Sequence, residues 1–244
     1  MGVVVGALFT SGVFAQRDTE IAYGDQVEGS ITDATAGADY TFTAADGDIV
    51  VIQVQPSADA GAFGAEVRVL AANGNVVADS NAMTVFGRTG QIIAAELTDA
   101  GSYTINVYDA EGGFNLLLLQ ALPLEAGQAL SGTASPPADS SQANYGAAYS
   151  VISTDDFTVS YNQTGGIFRP SLVAYSMREG GNLFPVAAVL NIESADSPSR
   201  WLGGGIRMAG SRDINIFLVG SLELQFGSPD ASLTEATFEV SLGD

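Results

Sequence analysis

From Ile21 onward, short runs in which apolar and polar side chains alternate recur to the end of the chain, separated by Gly, Asn, Asp or Ser. A period of two puts alternate side chains on opposite faces of an extended backbone, so each run predicts a β-strand. The runs cover 24–31, 39–43, 49–54 and 66–70. Ala72-Asn73-Gly74-Asn75 then gives a hairpin signal feeding 76–78, followed by 91–97 and 100–108. Phe114-Asn115-Leu116-Leu117-Leu118-Leu119 breaks the alternation, which predicts a strand covered on both faces, with a second domain as the cover. Further runs lie at 127–133, 148–151, 155–161, 171–175, 186–190, 222–226 and 237–242. No stretch carries the 3.6-residue period of an amphipathic helix.

One stretch occurs twice. Ala100-Gly101-Ser102-Tyr103-Thr104-Ile105-Asn106-Val107-Tyr108 returns, 109 residues on, as Ala209-Gly210-Ser211-Arg212-Asp213-Ile214-Asn215-Ile216-Phe217. Tyr40 and Tyr149 keep the same spacing, and Gly127 to Thr133 echoes Gly24 to Ser30. A repeat of this length predicts two domains of one kind. The expected architecture is therefore all-β: two tandem antiparallel β-sandwiches, jelly-roll-like, at 16–122 and 123–244, with the seam near Ala121-Leu122-Pro123-Leu124.

Residues 1–15 stand apart. Val3 to Phe9 is apolar, and Val13 and Ala15 precede Gln16-Arg17 as small residues precede a cleavage site, the pattern of a secretory signal peptide, though without a positive start. The run falls short of the roughly 20 residues of a transmembrane span. Retained, its alternation of Val3, Val5, Ala7 and Phe9 would suit a strand donated to a neighbouring molecule.

Laid out this way, residues of about 20–120 resemble the bacterial pre-peptidase C-terminal domain. The features that carry the resemblance are Gly24 to Gly29, Asp39-Tyr40-Thr41-Phe42, Gly47-Asp48 followed by Ile49 to Ile52, Val67-Arg68-Val69-Leu70 with Asn73-Gly74, and Leu97 to Val107. The second half is a weaker match, with Arg212 where Tyr103 stands and Glu179-Gly180-Gly181-Asn182 in place of the Asn-Gly turn. The resemblance implies a non-catalytic β-sandwich appendage of an exported protein.

Charge and composition narrow the chemistry. Eight basic residues, all Arg, against 28 acidic ones give a net charge of −20, which repels nucleic acid and anionic lipid. The chain has no Cys, His or Lys. That removes imidazole and thiol catalysis, Ser-Lys and Schiff-base chemistry, and disulfide scaffolding. Carboxylate-only chemistry survives in principle, but no pair stands out among so many acids.

Candidate sites are few. Asp46, Asp48, Asp79, Asp155 and Asp156 sit in turn-like clusters of hard oxygens that suit Ca2+, although two acids in a turn fall short of the 6–8 ligands calcium takes and none has EF-hand spacing. Trp201, the single tryptophan, follows Arg200 and precedes Gly203-Gly204-Gly205, so it is either a buried anchor or a platform for a sugar or a protein interface. Tyr103 reads as a core residue whose hydroxyl finds a backbone acceptor, with a binding role as the alternative. Asn162-Gln163-Thr164 has the form of a glycosylation sequon. The expected role is that of a non-catalytic, secreted structural or adhesive protein of the cell envelope or an extracellular assembly, with protein partners that include further copies of itself in an oligomer or filament. The rivals are a calcium- or glycan-binding module and an acidic accessory subunit of a larger envelope complex.

Overall fold

The computed structural model describes residues 19–33, 37–57, 64–80, 91–135, 144–166, 170–189, 203–221 and 235–243. Among them regular structure is β-strand, apart from one 3₁₀ turn at Glu179–Gly181, and no helix is long and apolar enough to cross a membrane. The first half supplies β1 (Thr19–Glu20), β2 (Gln26–Ile31), β3 (Ala38–Ala44), β4 (Ile49–Pro56), β5 (Glu66–Ala71), β6 (Val76–Asp79), β7 (Gln91–Glu96), β8 (Gly101–Tyr108) and β9 (Gly112–Pro123). The second supplies β10 (Ala129–Ala134), β11 (Asn144–Ser153), β12 (Phe157–Gly165), β13 (Ser171–Met177), β14 (Leu183–Val189), β15 (Gly203–Met208), β16 (Ser211–Ser221) and β17 (Ala236–Gly243).

Two sandwiches result, with one strand order. In the first, β3-β8-β5-β6 faces β2-β9-β4-β7; in the second, β11-β16-β13-β14 faces β10-β17-β12-β15. They are not separate bodies on a linker. β9 runs through the expected seam to Pro123, and its last residues pair in parallel with β11, Ala121 with Ala148 and Pro123 with Ser150. This joins the inner sheet of the first sandwich to that of the second as one sheet, β14-β13-β16-β11-β9-β4-β7, with β2 also on β9. The sheet curls until its ends meet where Ile93 bridges Asn182.

Three cores lie in series. Val50, Ile52, Phe114, Leu116 and Leu118 point into the first sandwich; Tyr149, Val159, Phe217 and Phe238 fill the second. Between them, Ile49, Val51, Leu117 and Leu119 meet Val173, Tyr175, Ile216 and Leu218. The unbroken apolar run of β9 is explained by this: alternate leucines serve different cores, and both faces are covered.

The duplicated stretch occupies matching strands, β8 and β16, but out of phase. Tyr40 pairs with Ile105, whereas Tyr149, its counterpart, pairs with Phe217, a spacing of 112 residues rather than 109. An odd shift turns every side chain to the other face. Ile105 and Val107 point into their own sandwich, while Ile214 and Ile216 point out of theirs into the middle core.

A closer structural echo is built on glycine. Gly29 opposes Phe114 across β2 and β9, and Gly132 opposes Phe238 across β10 and β17. A Cβ on Gly29 would overlap the Tyr40 hydroxyl and the Phe114 ring; on Gly132 it would stand 2.7 Å from Phe238 Cζ and 2.8 Å from the Tyr149 hydroxyl. Each sandwich thus wedges a Tyr and a Phe into a slot opened by a missing side chain.

The Asn73-Gly74 hairpin forms as the sequence predicts, with Gly74 at φ 82 and the Asn75 N–H donating to Asn73 Oδ1 at 2.9 Å. Gly203-Gly204-Gly205 is part of β15. A Cβ on Gly204 would lie 2.6 Å from Val189 Cγ1, so the small residues let this edge approach β14. The 1–15 segment, Trp201 and the 222–226 run lie outside the described residues.

Candidate functional site

Asp48 is a structural hub. Its Oδ2 accepts from the Tyr23 hydroxyl and the Ala45 N–H, each at 2.8 Å, and its Oδ1 from Gln120 Nε2 at 2.7 Å. These donors tie the β3–β4 turn to the turn that leads into β2 and to β9. Burial, then the hydrogen bond to Asp48, raises the pKa of Tyr23. Asp46, two residues away, is exposed.

The remaining candidate carboxylates stand apart. Asp79 Oδ1 accepts from the Tyr108 hydroxyl at 2.9 Å. Asp155 closes a turn with Ser153, its N–H donating to Ser153 Oγ at 3.2 Å. Asp156 takes the Gly210 N–H at 3.2 Å and an exposed contact with Arg207 at 3.4 Å. Among the described residues, no three carboxylates gather in a group able to hold a metal ion.

Tyr103 is 4% exposed and stacks on Phe42 with ring centroids 5.8 Å apart. Its hydroxyl donates to the Asp99 carbonyl at 2.7 Å, closing the corner that leads into β8. A hollow of about 190 Å3 opens beside it, bordered by Ala72, Asn73, Asp99 and Gly101.

A network not foreseen from the sequence covers the outer face of the five-stranded sheet. Arg68 Nε donates to Asn106 Oδ1 at 2.9 Å, Asn106 Nδ2 donates to Asp39 Oδ1 at 2.5 Å, and the Arg68 guanidinium lies 4.5 Å from the centre of the Tyr108 ring. Burial first, then hydrogen bonds to Glu66 and Asp79, raises the Tyr108 pKa. The signal was the polar phase of β8, Thr104, Asn106 and Tyr108, set opposite the polar phase of its neighbours. Asn215, its mate in the duplicated stretch, is buried and donates instead to the Asp213 carbonyl at 3.2 Å.

Among the described residues, two clefts lie at the joint between the sandwiches. One, of about 240 Å3, lies between β2 and β9 on one side and β10 and β11 on the other, with Leu117, Leu119 and Tyr145 beneath Gln26, Thr133 and Ser135. The other, of about 290 Å3, lies where β6 and β7 meet the turn after β13; Val77, Met177 and Ile214 line it together with Glu96 and Arg178.

No protein-family model and no curated protein matches the chain. Among solved structures it is similar to the pre-peptidase C-terminal domain of a collagenase from Bacillus anthracis, 18% identical over 42% of this chain and 95% of that one, with a TM-score of 0.33. A second is the tandem CBM22-1 and CBM22-2 domains of Xyn10C from Paenibacillus barcinonensis, 12% identical over 89% of this chain and 85% of that one, with a TM-score of 0.28. No function passes from either to this chain.

Proposed function

We propose that this chain is a non-catalytic, exported structural protein, a stiff tandem unit of the cell envelope or of an extracellular assembly that works through contacts with proteins, further copies of itself included. The observation that carries the reading is the joint: a shared sheet and a middle core hold the two sandwiches at one mutual orientation. A hinge would need an exposed linker with few contacts across it. A fixed joint suits a load-bearing or length-setting part. Among the described residues β10 and β15 end the four-stranded sheet with no ladder partner on their outer sides, and their main-chain groups there are the ones to pair with another chain. The composition agrees with export, and the first sandwich is read as a domain of the pre-peptidase C-terminal kind.

The test is the particle formed by the purified mature chain. Light scattering after size exclusion, with electron microscopy, is expected to find oligomers or filaments built from rod-like units. A monomer at all concentrations, together with saturable calcium or glycan binding, would replace this reading with that of a ligand-binding module.

A further inference from the structure

The cleft beside β7 is bordered by a turn that backbone contacts fix in place. The turn after β13 is tight: the Arg178 N–H donates to the Asn182 carbonyl at 2.8 Å and the Gly181 N–H to the Arg178 carbonyl at 3.1 Å. Gly180 and Gly181 adopt φ 77 and 82, which side chains resist. The turn presses directly on the first sandwich, since Asn182 bridges Ile93 and a Cβ on Gly181 would overlap the Ala94 carbonyl and the Ala78 side chain. Arg178 is therefore anchored close to β7, which carries Glu96.

Arg178 and Glu96, one from each sandwich, both line the 290 Å3 cleft together with Val77, Met177 and Ile214. Among the described residues neither Arg178 nor Glu96 is in an ion pair. Arg178 instead holds its guanidinium 5.9 Å from the centre of the Phe184 ring, which is 52% exposed.

We infer that this cleft binds a free α-amino acid with an apolar side chain, its carboxylate on Arg178, its ammonium on Glu96 and its side chain on Val77, Met177 and Ile214. The overall charge selects for such a molecule. A field set by a net charge of −20 repels a simple anion, and a simple cation finds 28 carboxylates elsewhere. A zwitterion escapes the net repulsion and still uses both walls. Arg suits the carboxylate because its planar fork gives two parallel hydrogen bonds. The volume lies near the small end of ligand pockets, about 300 Å3 upward. The site needs both sandwiches but does not depend on self-association.

Methionine labelled at its methyl carbon reads the site in the intact chain, because Met177 lines the cleft and Met208 does not. Titration with L-leucine is expected to move the Met177 signal saturably and leave that of Met208 in place. N-acetylleucine, which lacks the ammonium, and leucinamide, which lacks the carboxylate, should bind at least about tenfold more weakly, as should leucine to Arg178→Gln and Glu96→Gln, a loss of about 1.4 kcal/mol each. Both side chains reach the surface, so circular dichroism of the variants should match that of the parent. No saturable shift of Met177 with leucine or phenylalanine up to about 10 mM would overturn the proposal. So would equal binding of the capped ligands, or binding that both substitutions leave unchanged.

Discussion

Tyr103 and Tyr161 bury the same phenol in opposite circumstances. The Tyr103 hydroxyl has the Asp99 carbonyl, whereas the Tyr161 hydroxyl is buried with no partner among the described residues. Tyr103→Phe should therefore cost about 1 kcal/mol, and Tyr161→Phe should be neutral or stabilise by about 1 kcal/mol, because a buried polar group without a partner is itself a penalty. Urea unfolding of the two variants beside the parent decides it, and a loss at both positions would contradict the assignment. Gly29→Ala and Gly132→Ala form a second pair. Each adds a methyl group where a Tyr hydroxyl and a Phe ring already lie, so each should destabilise by about 1–3 kcal/mol or more by the same melt. Gly47→Ala, where a Cβ meets nothing but φ is 80, separates the two causes, since any loss there comes from backbone strain alone.

Among the elements, β9 carries the most. Leu118 belongs to the first core and Leu119 to the middle one, so alanine at either should cost about 2–5 kcal/mol, and both losses should appear in a single transition if the cores unfold together. Calorimetry showing one sandwich melting ahead of the other in the Leu119 variant alone would show that the joint is an optional contact. Much of this was legible in the sequence. Alternation located most strands, and the leucine run announced a doubly covered one, because burial on both faces leaves no polar phase. The duplicated stretch misled on phase: identity between Ile105 and Ile214 aligns letters, yet the ladder partners Ile105 and Phe217 align faces. Facing is set by what lies across the sheet: the sheet that carries β16 has the middle core on its outer side, and the sheet that carries β8 does not. β15 went unread because three glycines carry no alternation, and the Arg68–Asn106–Asp39 network because it depends on three strands meeting. Of the carboxylates offered to calcium, the sequence could show their number but not that the oxygens of Asp48 already serve three protein donors.

For the whole molecule, the missing Lys, Cys and His leave tyrosine as the side chain that titrates between neutrality and strong alkali. Burial raises the pKa of Tyr40, Tyr161 and Tyr175 above the ordinary 10.0, and that of Tyr149 to about 12. A raised value means that the folded state holds its proton after the unfolded chain has released it. Stability from these groups is thus complete below the unfolded value of 10.0, falls as pH climbs toward 12 for Tyr149, and goes on falling beyond it for Tyr161. Tyrosinate absorbance should rise together with the loss of β circular dichroism. A smooth titration near pH 10 with the fold intact would contradict the burial of these rings.

The curled sheet also bears on the order in which the protein is made. A chain emerging from its N-terminal end completes β9 before any of β11, β13 or β16 exists, and until then Ile49, Val51, Leu117 and Leu119 have no cover. The later half of a neighbouring nascent chain fits that greasy surface as well as the chain's own does. Crowded synthesis or rapid refolding at high concentration would accordingly trap exchanged pairs, each molecule completing the other, and slow dilute release would favour the self-contained form.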